Sequence, residues 1–238
     1  MTQPDDFFSE FPLEWEMSAA ERFTMIGLLA RLRPQVAIEI GTHHGGSLQV
    51  LHAFCGRVHA IDIDPEVSVR LAPRFPKVRF HIGLSRERIP EALAEIEAAE
   101  GKLGFVLVDG DHRAPEVRAD IEALLRHRPR TTVYVLLHDS FNPDCRRGMR
   151  AAAWSESPHV RSVELDFVPG IFNAVAGAHV FARSMWGGFA LAILTPEYRA
   201  GPLVVRAAQE PMNRFVYPHS AHRIWHKAMR FMRRRFFR

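Results

Sequence analysis

The sequence predicts an α/β fold, a doubly wound parallel sheet with helices on both faces. Three observations carry that expectation. Five short apolar runs rich in β-branched residues recur between residues 36 and 137. Each is followed by a turn and, after the first four, a stretch whose apolar residues recur at helical spacing. The last two runs, Phe105–Val108 and Thr132–Leu137, are almost continuously apolar, as strands covered on both faces must be.

Taken in order, Ser18-Ala-Ala-Glu21 has capping-box spacing and opens a helix through Phe23, Ile26, Leu29 and Leu32 that stops before Pro34. The first strand, Val36–Ile40, leads through a glycine-rich turn into a helix over Ser47–Phe54. The second, Val58–Asp62, precedes a short helix near Glu66–Leu71, and the third, Val78–Ile82, a helix from about Pro90 to Glu100. Phe105–Val108 is the fourth strand, and the helix Pro115–Leu125 sets Val117, Ile121, Leu124 and Leu125 on one face. Thr132–Leu137 is the fifth. After it the alternation loosens: Val160–Phe167 and Gly188–Leu194 read as strands without a full crossover helix between them, which predicts an antiparallel pair closing the edge. The chain therefore divides into an N-terminal helical segment (1–33), a ligand-binding domain (34–200) and a C-terminal extension (201–238).

An apolar share of 47% with 24% charged residues excludes a disordered or disulfide-scaffold chain. No apolar run approaches the roughly 18 residues of a membrane span, and Met1–Asp6 lacks the cationic region of a signal peptide. Cys55 and Cys145 form no CxxC, so a reducing, cytoplasmic setting is expected. The formal charge is +4, but seven basic residues and no acidic one lie between His219 and Arg238, which leaves −3 on residues 1–218. The acidic body offers no groove for nucleic acid. Ile224, Trp225, Ala228, Met229 and Met232 recur at helical spacing among Arg223, Lys227, Arg230 and Arg234. With Phe236 and Phe237 they suggest a basic amphipathic helix for peripheral contact with an anionic membrane surface. A solvated tail, or a helix docked on an acidic partner, is the plainer alternative.

In an open parallel sheet, ligands bind beyond the carboxyl ends of the strands. The first such turn is Glu39-Ile-Gly41-Thr42-His43-His44-Gly45-Gly46-Ser47, and His43 stands where the dinucleotide fingerprint needs its middle glycine. That argues against a pyrophosphate-containing nicotinamide cofactor. Asp62, 21 residues after Gly41, is placed to accept hydrogen bonds from ribose hydroxyls, so an adenosine-type ligand is expected. Asp109-Gly-Asp111-His112 follows the fourth strand and His138-Asp139 ends the fifth. Neighbouring strands lie roughly 5 Å apart, so Asp109, His138 and Asp139 can converge to hold Mg²⁺ or another divalent ion. Alternatively Asp109 caps a helix and His138 is a hydrogen-bonded core histidine.

These residues resemble a class I S-adenosylmethionine-dependent methyltransferase, more narrowly the bacterial small-molecule O-methyltransferases of the cephalosporin-hydroxylase and macrolide/sugar type. The likeness rests on Ala37–Gly41, Ala60–Asp62, Phe105–His112, Ala119–Ile121, Leu137–Ser140 and Trp186–Ala192, and spans residues 34–195. It implies a Rossmann-like sheet of seven strands with the last reversed. It places Glu39 and Gly41 by the methionine portion of the cofactor and Asp62 at the ribose. Thr42, Gly45, Ser47, Ser85 and Asp109 complete the cofactor-binding set, and Asp109, His138 and Asp139 fall at metal positions. Two departures stand out: His138-Asp139 replaces a pair of carboxylates or a carboxylate and an amide, and Ser85 replaces an acid near the adenine. His112 is the first candidate for general base, with Asp111 second and Asp109 beside them. The stretch Pro169–Trp186, with Asn173, His179 and Trp186, is the candidate acceptor pocket. The expected activity is O-methylation of a sugar or other small hydroxylated metabolite, assisted by a divalent metal. A nicotinamide-dependent oxidoreductase and a non-catalytic, membrane-docked binding module of the same fold are the alternatives. A homo-oligomer is compatible with the sequence, which does not encode oligomeric state.

Overall fold

A computed structural model describes residues 8–172 and 183–223. Ser18 caps helix α1 (Ala19–Leu32) in a reciprocal capping box with Glu21, and the helix ends at Arg33, whose left-handed backbone precedes Pro34. The alternation then runs β1 (Val36–Ile40), α2 (Gly46–Phe54), β2 (Arg57–Asp62), α3 (Pro65–Leu71), β3 (Val78–Ile82), α4 (Ser85–Ala98), β4 (Leu103–Val108), α5 (Ala114–Leu124) and β5 (Val133–His138). It continues through α6 (Pro143–Ala151), β6 (Val160–Val168), the short strands β7 (Ile171–Phe172) and β8 (Met185–Trp186), β9 (Phe189–Leu194), β10 (Val205–Arg206) and α7 (Glu210–Val216).

The main sheet has the order β10-β6-β9-β5-β4-β1-β2-β3. Every pairing is parallel except those of β9, which runs against both β5 and β6. The expected reversed strand is therefore β9, while the expected count of seven becomes eight because the two-residue β10 adds to the outer edge of β6. β7 and β8 form a separate antiparallel pair.

The order of strands switches at β1, which pairs with β2 on one side and β4 on the other. All five residues of β1 are buried, and they alternate between two cores. Val36, Ile38 and Ile40 join Ile61, Ile89, Ile96, Val106 and Ile121 beneath α4 and α5. Ala37 joins Met25, Leu29, Leu48, Leu51, Phe105 and Leu107 beneath α1 and α2. The helices on both faces leave the carboxyl ends of the strands as the open edge.

Two helices differ from the sequence reading. α4 begins at Ser85 and contains Pro90, whose single lost backbone bond is offset by burial of Ile89, Ala92 and Ile96. α6 escaped the pattern because only Cys145 and Met149 among its nine residues are large, apolar and buried. Its Arg146 is buried too, with Nη1 and Nη2 donating to Asp166 at 2.7 and 3.1 Å and Nε to Glu210 at 3.0 Å. Gln209 N also donates to Asp166, at 2.8 Å, so the first part of the C-terminal extension is tied to β6 and α6. The basic tail from Ile224, and Asn173 and His179 of the candidate acceptor stretch, lie outside the described residues. Among the described residues no helix is long and apolar enough to cross a membrane.

Candidate active site

The turn after β1 is shaped by close approach. Gly41 has φ 86°, and a Cβ there would fall 2.0 Å from the carbonyl oxygen of Asp109, so the ends of β1 and β4 touch only because the side chain is missing. His43 adopts φ 44°, the left-handed region where the fingerprint would place glycine. Asp62 latches this turn: its Oδ2 accepts the backbone N–H of Thr42 and of His43, each at 2.9 Å. Oδ1 accepts one N–H, from Asp64 at 2.9 Å, and keeps a lone pair for a ligand hydroxyl.

An N-terminal strap crosses the turn. Gln49 exchanges hydrogen bonds with the backbone of Leu13, and a Cβ on Gly46 would meet Glu14 O at 2.4 Å. Strap, turn and strand ends enclose a cleft of about 560 Å³, lined among others by Trp15, Met17, Gly41, Thr42, Ser47, Asp62, Ser85, Asp109, Asp111 and His112. Two expected cofactor residues, Glu39 and Gly45, do not line it. Gly45 is the left-handed N-cap of α2 and packs on Leu71. Glu39 is wholly buried beneath the turn, where Ser47 Oγ donates to its Oε1 at 2.6 Å. Burial pushes its carboxyl up to about 8 against the pull of that hydrogen bond. The Thr42 hydroxyl also faces this buried carboxyl and acts with Ser47 to pull it down. Ser85 reaches the cleft, but its hydroxyl proton goes to Asp120 Oδ1 at 2.5 Å, so toward an adenine it can only accept. Asp120 is itself raised to about 6 by burial, with the Ser85 bond opposing.

Beside this cleft the strand ends assemble an acid–imidazole cluster. Asp109 follows β4 and His138 closes β5. Asp139 follows with φ 58°, its Oδ1 fixed by the N–H of Gly187 at 2.6 Å. His112 Nε2 lies 3.0 Å from Asp139 Oδ2 and 3.8 Å from Asp109 Oδ1, and its ring meets the edge of Trp186 with centroids 5.4 Å apart. Burial disfavours the charged ring of His112, yet the two carboxylates outweigh it and lift the pKa to about 10. Burial likewise acts to raise Asp109, and the two imidazoles overcome it, holding the carboxyl at about 2. Asp111, the second candidate base, is engaged elsewhere: it accepts the backbone N–H of Arg113 at 2.8 Å in an Asx-turn and pairs with that guanidinium.

His138 sits between two acids. Its Nδ1 lies 2.9 Å from Asp109 Oδ1 and its Nε2 3.1 Å from Glu21 Oε1. Ionised carboxylates only accept, so both ring nitrogens carry protons. Despite burial, those acids and Asp139 keep its pKa well above the ordinary histidine value. The expected metal trio Asp109, His138 and Asp139 does converge, with ligand atoms within 4.8 Å of one another. A divalent ion held by these three would have to displace the proton on His138 Nδ1.

Glu21 was invisible to sequence reasoning in this role. Its carboxylate is 2% exposed and also accepts the N–H of Gly188 at 2.5 Å and of Ser18 at 2.6 Å. The sequence marks it only as the third residue of a helix, where an acid usually faces water. The strap did leave a signal: Phe11, Leu13, Trp15 and Met17 alternate with polar residues, the period of an extended segment with one face buried.

Residues 38–140 match a family model described as a methyltransferase domain. The matched stretch is methyltransferase-like. No curated protein matches it in sequence. Among solved structures, the chain resembles cofactor-bound Rv0187 from MTB, at 22% identity over 82% of this chain and 88% of that one, with a TM-score of 0.53. An O-methyltransferase from Bacillus cereus in complex with SAH aligns at 17% identity over 80% and 87% of the two chains, with a TM-score of 0.54. The O-methyltransferase TomG from Streptomyces achromogenes, involved in tomaymycin synthesis and solved with SAM, aligns at 17% over 82% and 100%, with a TM-score of 0.52. At these identities the likeness is one of fold.

Proposed function

We propose that this protein transfers the methyl group of S-adenosylmethionine to the oxygen of a small hydroxylated acceptor, a sugar or similar metabolite, without a divalent ion at His138. The observation that carries the reading is the continuity of the Asp62-latched cleft with the His112–Asp139 pair. Two features fit the cofactor: the bare Cα of Gly41 and the free lone pair of Asp62 Oδ1. The B. cereus enzyme with SAH and TomG with SAM, which share the fold, support that choice of donor.

When bound, the cofactor supplies an electrophilic methyl carbon on a positively charged sulfur. The chain's task is to bring an acceptor hydroxyl to it and to take the hydroxyl proton. His112 performs the second step in this reading. Asp139 holds its Nε2, which leaves Nδ1 for the acceptor proton, while Trp186 packs on the ring. Because the neighbouring acids keep His112 protonated up to about pH 10, the base becomes available as that proton leaves. His138, charged and fixed between Asp109 and Glu21, balances the acids without reaching the acceptor.

Isothermal titration of the full-length protein with S-adenosylmethionine tests the donor. Binding in the micromolar range is expected, and its absence sinks the reading. Turnover of a hydroxylated acceptor should persist in excess EDTA, and loss of turnover there would return a metal to the site.

A further inference from the structure

Away from the cleft, β2 and β3 bury two imidazoles against each other. In the parallel register His59 lies opposite Arg79 and Ile61 opposite His81, so His59 and His81 are diagonal neighbours on one face of the sheet. The helix covering that face is α4, and its inward residues Ile89, Ala92 and Ile96 are aliphatic. Within this apolar layer the two rings are 3% and 6% exposed, their planes nearly parallel, with His59 Nδ1 2.9 Å from His81 Nε2. Glu95, on α4, brings Oε2 to 4.0 Å from that same His81 nitrogen. The three ligand atoms lie within 4.8 Å of one another.

We infer that His59, His81 and Glu95 form a site for a divalent transition ion of the zinc class. Two imidazoles and one carboxylate match zinc or cobalt and not magnesium or calcium, which prefer all-oxygen shells. Without an ion, one N–H between the rings satisfies both facing nitrogens, which lets the pair stay buried. Zinc–nitrogen bonds of roughly 2.0–2.1 Å in a tetrahedral site need nitrogens about 3.3 Å apart. The rings therefore have to part by only a few tenths of an ångström, and Glu95 has to close by somewhat more. Glu95 is 42% exposed and its present partner, Arg79 Nε at 3.5 Å, is 65% exposed, so both can move. The ion would tie the edge strand β3 and its neighbour β2 to α4. His59 is three residues before Asp62 and His81 two before Gly83, which puts the tie in the layer beneath the cleft.

Chelator-treated full-length protein titrated with Co²⁺ tests this. One equivalent should give the ligand-field absorption of a nitrogen- and oxygen-bound ion, and Zn²⁺ should displace it. Glu95→Gln, a change on the outer side of α4 that leaves the core intact, should weaken binding at least tenfold and abolish the zinc-dependent rise in Tm. His81→Phe should abolish binding where it folds. Asp139→Asn, in the acid–imidazole cluster, should leave Co²⁺ affinity unchanged. No Co²⁺ spectrum in the wild type, undiminished affinity in Glu95→Gln, or loss of binding in Asp139→Asn each overturns the inference.

Discussion

Replacing Glu21 by alanine isolates the least expected part of the active site. The wild-type carboxylate accepts from three donors: Gly188 N, Ser18 N and His138 Nε2. Ser18 N, at the start of a helix, can turn to water. Gly188 N and His138 are buried and cannot. An orphaned buried donor costs about 1–3 kcal/mol, and stripping one partner from a buried ion pair about 3–5 kcal/mol. These overlap here, so Glu21→Ala should lose roughly 3–5 kcal/mol, against a total stability on the order of 5–15 kcal/mol. Glu21→Gln keeps an acceptor oxygen but not the charge and should lose roughly half as much. Urea unfolding should show the midpoint fall with an unchanged slope. The pH dependence supplies a second readout. His138 has a folded pKa raised above its unfolded value, so its contribution is complete below about pH 6.5 and is lost as pH rises toward the folded value. Removing Glu21 should make that alkaline loss smaller. A Glu21→Ala protein within about 1 kcal/mol of wild type, with the same alkaline slope, would refute the argument that this acid is the buried partner of His138.

Other outcomes follow from the same geometry. His112→Gln should lower kcat by roughly 10²–10⁴-fold with little change in cofactor affinity, and wild-type kcat/KM should climb as pH rises toward about 10, a limb the variant lacks. Glu39 has a folded pKa raised to about 8, so its contribution is greatest below the unfolded value and declines as pH rises through that window. Glu39→Gln should flatten this part of the stability curve in thermal melts between pH 5 and 9 (about one unit beyond the window on the alkaline side). A chain ending at Pro218 should co-sediment less than full-length protein with anionic liposomes, and equal partitioning would refute the membrane role of the basic tail.

What the sequence disclosed and what it hid divide along physical lines. β1 to β5 and the helices after the first four were readable because each of those apolar runs is followed by residues of a different period. The ends of those strands pointed to Asp62, Asp109, His112, His138 and Asp139 for the same reason: in a parallel sheet, position after a strand is position near the ligand. Helix α6 was unreadable because its central buried residue is Arg146, which polarity places outside and an ion pair with Asp166 places inside. The protonation of the metal trio was not legible because neighbouring strands bring residues together but do not say which protons they carry. That depended on Glu21, 117 positions away from His138 in the chain. Asp62 had its ligand role in view, but pinning of the turn through Thr42 and His43 needs backbone direction that no residue pattern records.

The reach of Glu21 has a consequence for how the enzyme comes into being. Its contact with Gly188 joins residues 167 positions apart. Helix α1 leaves the ribosome well before the glycine that holds its acid in place. A nascent chain that has completed β1 to β5 possesses nearly every residue of the cleft and still lacks the acceptor-side closure. Helix α1 can already pack on α2 through Met25 and Leu29, but the Glu21 carboxylate must wait for β9 to insert between β5 and β6. Strand β9 thus completes the site as well as the middle of the sheet, and a truncated product ending before it would be silent as well as unstable.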